Sequence, residues 1–114
     1  MALPISESVV AAFRAQAQAA DLNEFVVWWN TRRELLGTLR PDAAQGVFDR
    51  AVQEGRPAGI DDNQDHRVFL MAAALSLLPS PTPRTLILAL DAIFAPADDD
   101  ARLRDLAALR QPGR

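Results

Sequence analysis

Two apolar segments most constrain what this chain can fold into: "VFLMAAALSLL" over residues 68–78 and "TLILALDAIF" over 85–94, parted by "PSPTP". Each is far short of the roughly 20 residues a membrane-spanning helix needs, and Asp91 sits inside the second. Neither alternates apolar with polar residues, so neither suits a half-buried strand. They read as two buried helices of a helical core. The first is apolar nearly all round after Arg67, which marks a central helix.

Caps and breakers divide the rest of the chain into further helices. After Ser6 or Ser8, residues Val9, Val10, Phe13, Ala17 and Ala20 recur at spacings of three and four and share one face. In "DLNE", Asp21 recaps the chain and Glu24 follows three residues later, a variant of the capping box. The second helix then runs from about Leu22 to Leu36 or Leu39, weakened at Gly37 and ended by Pro41. Pro41 and Asp42 open a third, with Ala44, Val47, Phe48, Ala51 and Val52 inward and Gly55 as its stop.

"GRPAGIDDNQ" reads as a loop, and a fourth helix spans roughly Asp62 to Leu78, with Val68, Phe69, Met71, Leu75 and Leu78 inside. Thr82 and Pro83 start a fifth, which carries Leu86, Ile87, Leu90, Ile93 and Phe94 before Pro96. The last, about Asp98 to Arg110, has aspartates at its start and arginines at its end, both favourable to the helix dipole. The expected fold class is therefore all-α: a compact orthogonal bundle of five or six helices, an arrangement that three helical pairs would satisfy, with helices four and five as its spine. At 114 residues the expected organisation is a single helical domain over 1–114, with a flexible tail from about 111.

Trp28, Ala44, Phe48 and Ala51 resemble part of the tetratricopeptide pattern, whose period is about 34 residues. That pattern's glycine position is Arg32 here, its proline falls one place late at Pro57, and no second copy follows. The resemblance covers one helix pair; it implies a helical scaffold and carries no function.

The net charge of −3 and the pI near 5.0 argue against nucleic-acid binding, which draws on a basic patch. A helix-turn-helix built from helices two and three is the alternative reading, yet the third helix sets Asp42, Asp49 and Glu54 against Arg50 alone. All 12 basic residues are arginine and alanine is abundant, which suggests a GC-rich bacterial or phage genome. Without cysteine there is neither a disulfide framework nor a thiolate site or nucleophile. "MALPISES" lacks the features of a secretory signal, so a cytoplasmic chain is expected, with signal-independent export left open.

Chemistry-bearing patterns are sparse. Asp61, Asn63 and Asp65 have the spacing that begins a calcium loop, but His66 stands at the glycine position and Ala72 at the twelfth. The acidic run around His66 thus reads as an exposed helix start, and "DDD" at 98–100 as capping carboxylates without partners. With one histidine, no GxSxG elbow and no phosphate-cradling glycine loop, no catalytic, cofactor or metal residue is expected.

Both tryptophans lie in "FVVWWNTRRELL" over 25–36. Phe25, Trp28, Arg32, Leu35 and Leu39 form one stripe, and Leu22, Val26, Trp29, Arg33 and Leu36 another about 100° around the helix. We expect Trp29 in the core and Trp28 at a surface, where it joins Arg32 and Arg33 in an aromatic and arginine patch of the kind enriched at interfaces. The expected function is a non-catalytic protein–protein interaction module (adaptor, secretion chaperone, immunity protein or inhibitor) whose partner is another protein. A subunit of a larger self-assembling structure, such as a phage particle, is a further alternative, and homo-oligomerisation is left open.

Overall fold

The structure, a computed structural model, describes residues 21–110. The helix expected after Ser6 or Ser8 and the tail from 111 lie outside the described residues. Among those described, helices are joined by turns and loops and no strand occurs. A helix through 21–31 (α1) is followed by α2 (Arg33–Leu36), α3 (Pro41–Gly55), α4 (Arg67–Leu77), α5 (Pro83–Phe94) and α6 (Asp99–Ala108). This is the all-α bundle that the sequence leads one to expect. Among the described residues no helix is long and apolar enough to cross a membrane.

Local chemistry accounts for most of the boundaries. Asp21, the first described residue, is itself helical in α1 and so is not in the non-helical state of a cap. Arg32, at φ −112° and ψ 27°, breaks the run into α1 and α2, and Gly37 at φ 80° ends α2. The Asn30 side chain then fixes the connection, donating to Leu39 O at 3.0 Å and accepting from Leu39 N at 2.8 Å. Pro41 stands at the first position of α3, where its missing N–H costs nothing.

Gly55 is the last residue of α3, but it does not stop the chain in a left-handed turn. A 3₁₀ turn over Arg56–Ala58 continues from it, and Gly59, at φ 91°, takes the left-handed position. Gly55 suits the site for a different reason: a Cβ there would stand 3.1 Å from Cβ of the buried Ile60, which would have to shift by a few tenths of an ångström.

α4 begins at Arg67, five residues later than the acidic run suggests. Asp65 and His66 both adopt left-handed backbone, φ 58° and 57°, which a continuous helix forbids. From Val68 to Ala74 every residue of α4 is buried, and the helix packs against α3, α5 and α6. α4 is therefore the spine, as its all-round apolar sequence implies.

α5 is not. It packs against α4 and α6 and buries Ala89, Ala92 and Ile93, while Leu86, Ile87, Leu88 and Phe94 stay exposed. Leu90, and Leu75 on α4, are only half-buried.

The core is aromatic at its α1 end. Phe25 packs on Phe69 at 5.1 Å between ring centroids, on Trp29 at 5.6 Å and on Phe48 at 5.7 Å. Trp28 meets Phe69 at 5.5 Å. α1, α3 and α4 thus share one cluster of rings, and Leu103 and Leu106 extend it under α6.

Candidate functional site

Asp98 caps α6, its Oδ1 accepting from Ala101 N at 2.7 Å, so the next carboxylate points back across the bundle. That carboxylate, Asp99, is the centre of a polar cluster. Its Oδ2 accepts from Trp28 Nε1 at 2.9 Å and from His66 Nδ1 at 2.7 Å, and its Oδ1 accepts from Arg102 Nη2 at 2.9 Å.

Arg102 is 1% exposed and the largest fully buried side chain among the described residues. Its guanidinium donates from Nη1 and Nη2 to Asp65 at 2.9 and 3.2 Å, and from Nη1 to Ile93 O at 3.2 Å. A buried charge persists only when paired and hydrogen-bonded in this way.

The left-handed pair explains how the loop reaches α6. Consecutive left-handed residues outside glycine are costly, about 1–3 kcal/mol each. Here Asp65 is turned onto Arg102 and His66 onto Asp99, and those charge-assisted bonds offset the strain. The cluster was hidden in the sequence because each residue had a sufficient local reading: "DDD" as helix capping, and "DDNQDHR" as an exposed helix start. Asp98 does cap α6, but Asp99 has partners and His66 is half-buried against Phe69, ring centroids 5.0 Å apart.

Burial pushes the Asp99 carboxyl up, but hydrogen bonds from His66 and Trp28 and the charges of His66 and Arg102 outweigh it. The carboxyl therefore titrates below the ordinary aspartate value of 3.8. His66 has its second ring nitrogen, Nε2, 3.2 Å from Glu24 Oε1. Each ring nitrogen faces a carboxylate and neither is aimed at open space, which suits a brace and not a proton shuttle. Among the described residues no group of three or more acidic or histidine side chains is placed to hold a metal ion.

The residues expected to form an interaction patch are distributed differently. Trp28 is 6% exposed and Trp29 5%, so both rings are core and the expected surface position of Trp28 is not found. The reason is Arg32. Its guanidinium lies 4.7 Å from the centre of the Trp28 ring, its Nη1 donates to Trp28 O at 3.0 Å, and its Nε donates to Asp100 at 3.1 Å. The arginine one turn on covers the indole instead of sharing a surface with it. Arg33 is exposed and, with Arg32, Glu34, Asp100 and Arg104, borders an open basin between α2 and α6 that Leu35 and Leu103 also line.

A different surface is apolar. Leu86 and Leu90 of α5 line a groove of about 170 Å³ with Met71, Leu75 and Leu78 of α4 and its following turn, and Arg50 and Glu54 of α3 stand on its far rim. Ile87, 61% exposed, and Phe94 continue this face outward along α5. Among the described residues, four of the five exposed large hydrophobic side chains, Leu86, Ile87, Leu88 and Phe94, thus belong to one helix, and Val27 on α1 stands apart.

The chain matches no protein-family model, and no match is found among curated proteins or solved structures.

Proposed function

We propose that this chain is a non-catalytic protein–protein interaction module and that α5, with its groove, is the interacting surface. The observation that carries this reading is the run of Leu86, Ile87, Leu88 and Phe94 exposed on one helix beside an apolar groove. Contiguous exposed apolar surface rimmed by polar residues marks interaction sites in soluble proteins. The pattern belongs to recognition by a helix and groove, in which apolar anchors three and four residues apart supply the affinity.

The polar cluster supports the same reading from the other side. Its charged groups are spent on one another, joining α1, the loop before α4, and α6. Basic residues that are all arginine, and abundant alanine, are in keeping with a bacterial or phage setting, and a cytoplasmic adaptor, secretion chaperone, immunity protein or inhibitor has the size and acidity of this chain.

The experiment is affinity capture with the tagged chain and its Ile87→Asp variant in parallel. A partner held by the parent chain and lost by a variant with an unchanged helical spectrum is the expected result. A partner retained in full by Ile87→Asp would sink the assignment of α5 and return attention to the basin beside Arg33.

A further inference from the structure

We propose that the exposed face of α5 pairs with the same face of a second copy, antiparallel, about a two-fold axis between Ile87 and Leu90. This rests on the reading of α5 as an interaction surface and names its occupant.

The spacing of the exposed residues carries the argument. Pro83, Ile87, Leu90 and Phe94 alternate by four, three and four residues, which is the apolar seam of a heptad repeat. Ile87 and Phe94 take the first core position, Pro83 and Leu90 the second. Within the described residues the seam is only partly covered: Pro83 and Ile87 are exposed, Phe94 is exposed with the Arg67 guanidinium 4.6 Å from its ring centre, and Leu90 is half-buried against the core. The buried residues of the helix, Ala89, Ala92 and Ile93, lie on the other side.

Set antiparallel to itself, the seam closes in one register. Ile87 meets Leu90 of the second copy, Leu90 meets Ile87, and the ends are completed by Phe94 against Pro83. Each contact is repeated by symmetry, as an isologous interface demands.

Charge selects this orientation. Arg84 and Asp91 are seven residues apart, so they border the same edge of the seam, and both are exposed with no salt bridge among the described residues. In an antiparallel pair that edge faces the same edge of the second copy, which sets Arg84 against Asp91 and Asp91 against Arg84. In a parallel pair it would face the edge carrying Leu86 and Ile93, where no charge answers. Both termini of the 12-residue helix are thereby matched by the opposite charge.

The helix is short, about 18 Å at 1.5 Å per residue. The seam therefore belongs with the small, reversible interfaces, and dissociation in the micromolar range is expected.

The test is sedimentation equilibrium of the full chain and four variants, with a helical spectrum recorded for each. The parent chain is expected to pass from monomer to dimer as its concentration rises from about 1 to about 500 μM. Arg84→Asp and Asp91→Arg each set like charges opposite twice and should weaken the dimer by roughly tenfold or more. The double variant carrying both changes should recover it, and so should an equimolar mixture of the two single variants, because each then supplies what the other lacks. Ile87→Asp should be monomeric while keeping its helical spectrum.

A parent chain that stays monomeric across the range overturns the proposal. If Ile87→Asp also melts lower in that case, the face serves the stability of the single chain. If Ile87→Asp instead loses a captured foreign partner, the interaction module stands and only the self-pairing falls. A dimer indifferent to both charge reversals, or single variants that fail to rescue each other, also overturns it.

Discussion

The indole N–H of Trp28 donates to Asp99 Oδ2 across 2.9 Å, joining α1 to the first turn of α6 over 71 residues of chain. The same oxygen takes the hydrogen bond of His66, so one carboxylate holds three elements in register. Its neighbours in "DDD" do far less. Asp98 is a helix cap, and Asp100, exposed, meets only Arg32.

The three aspartates should therefore rank sharply on substitution. Asp99→Ala strips a partner from a buried guanidinium and should cost about 3 kcal/mol. Asp98→Ala should cost about 1 kcal/mol, as lost caps do. Asp100→Ala should stay within roughly 0.5 kcal/mol, since exposed ion pairs contribute little. Urea denaturation of the three variants checks the order, and equal losses would mean that α6 depends on its dipole alone.

Acid should act through the same residue. Because Asp99 titrates lower in the folded chain than in the unfolded one, the unfolded chain takes up the proton first as pH falls. The stability it contributes is complete above the ordinary aspartate value and is lost as pH falls through the lowered one. The stability gap between the parent chain and Asp99→Asn should thus be constant above about pH 5 and narrow steadily below about pH 4. A gap independent of pH would show that the carboxylate charge is not what the cluster uses.

Both tryptophans should behave as core residues. Trp28→Ala and Trp29→Ala should each cost about 3–5 kcal/mol. Trp28→Phe, which keeps an aromatic ring but removes the N–H, should cost about 1–3 kcal/mol by leaving Asp99 one donor short. Thermal unfolding of the three variants is sufficient. A Trp28→Ala variant as stable as the parent would restore the idea that this ring serves a surface.

What was legible in the sequence was local. Thr82 with Pro83, Pro41 and Asp98 announce their helices because a cap acts on amides within one turn of itself. The all-round apolar α4 announces its central place in the same way. The late start of α4 was not legible, because it depends on Asp65 and His66 being drawn to α6, 37 and 33 residues away. Nor was the position of α5, whose sequence is as apolar as a buried helix. What exposes Ile87 is the absence of a neighbour on that side among the described residues, and composition does not encode a neighbour. The Trp28 expectation failed for a related reason: Arg32 breaks the stripe as a residue, yet its side chain folds back and seals the ring it was expected to share.

The left-handed loop and the long reach of the Asp99 cluster also order events in time. α3 and α4 meet across a short connection, so their shared rings, Phe48 and Phe69, assemble at small cost in loop closure. The bonds from Trp28, His66 and Asp65 to α6 close far longer spans and require a backbone state the unfolded chain seldom visits. They are expected to form after the barrier, so changes at Asp99 or Arg102 should hasten unfolding and leave the folding rate nearly untouched, whereas changes at Phe48 or Phe69 should slow folding itself. On this expectation the cluster acts as a latch, setting how long the protein stays folded and having little say in how fast it gets there.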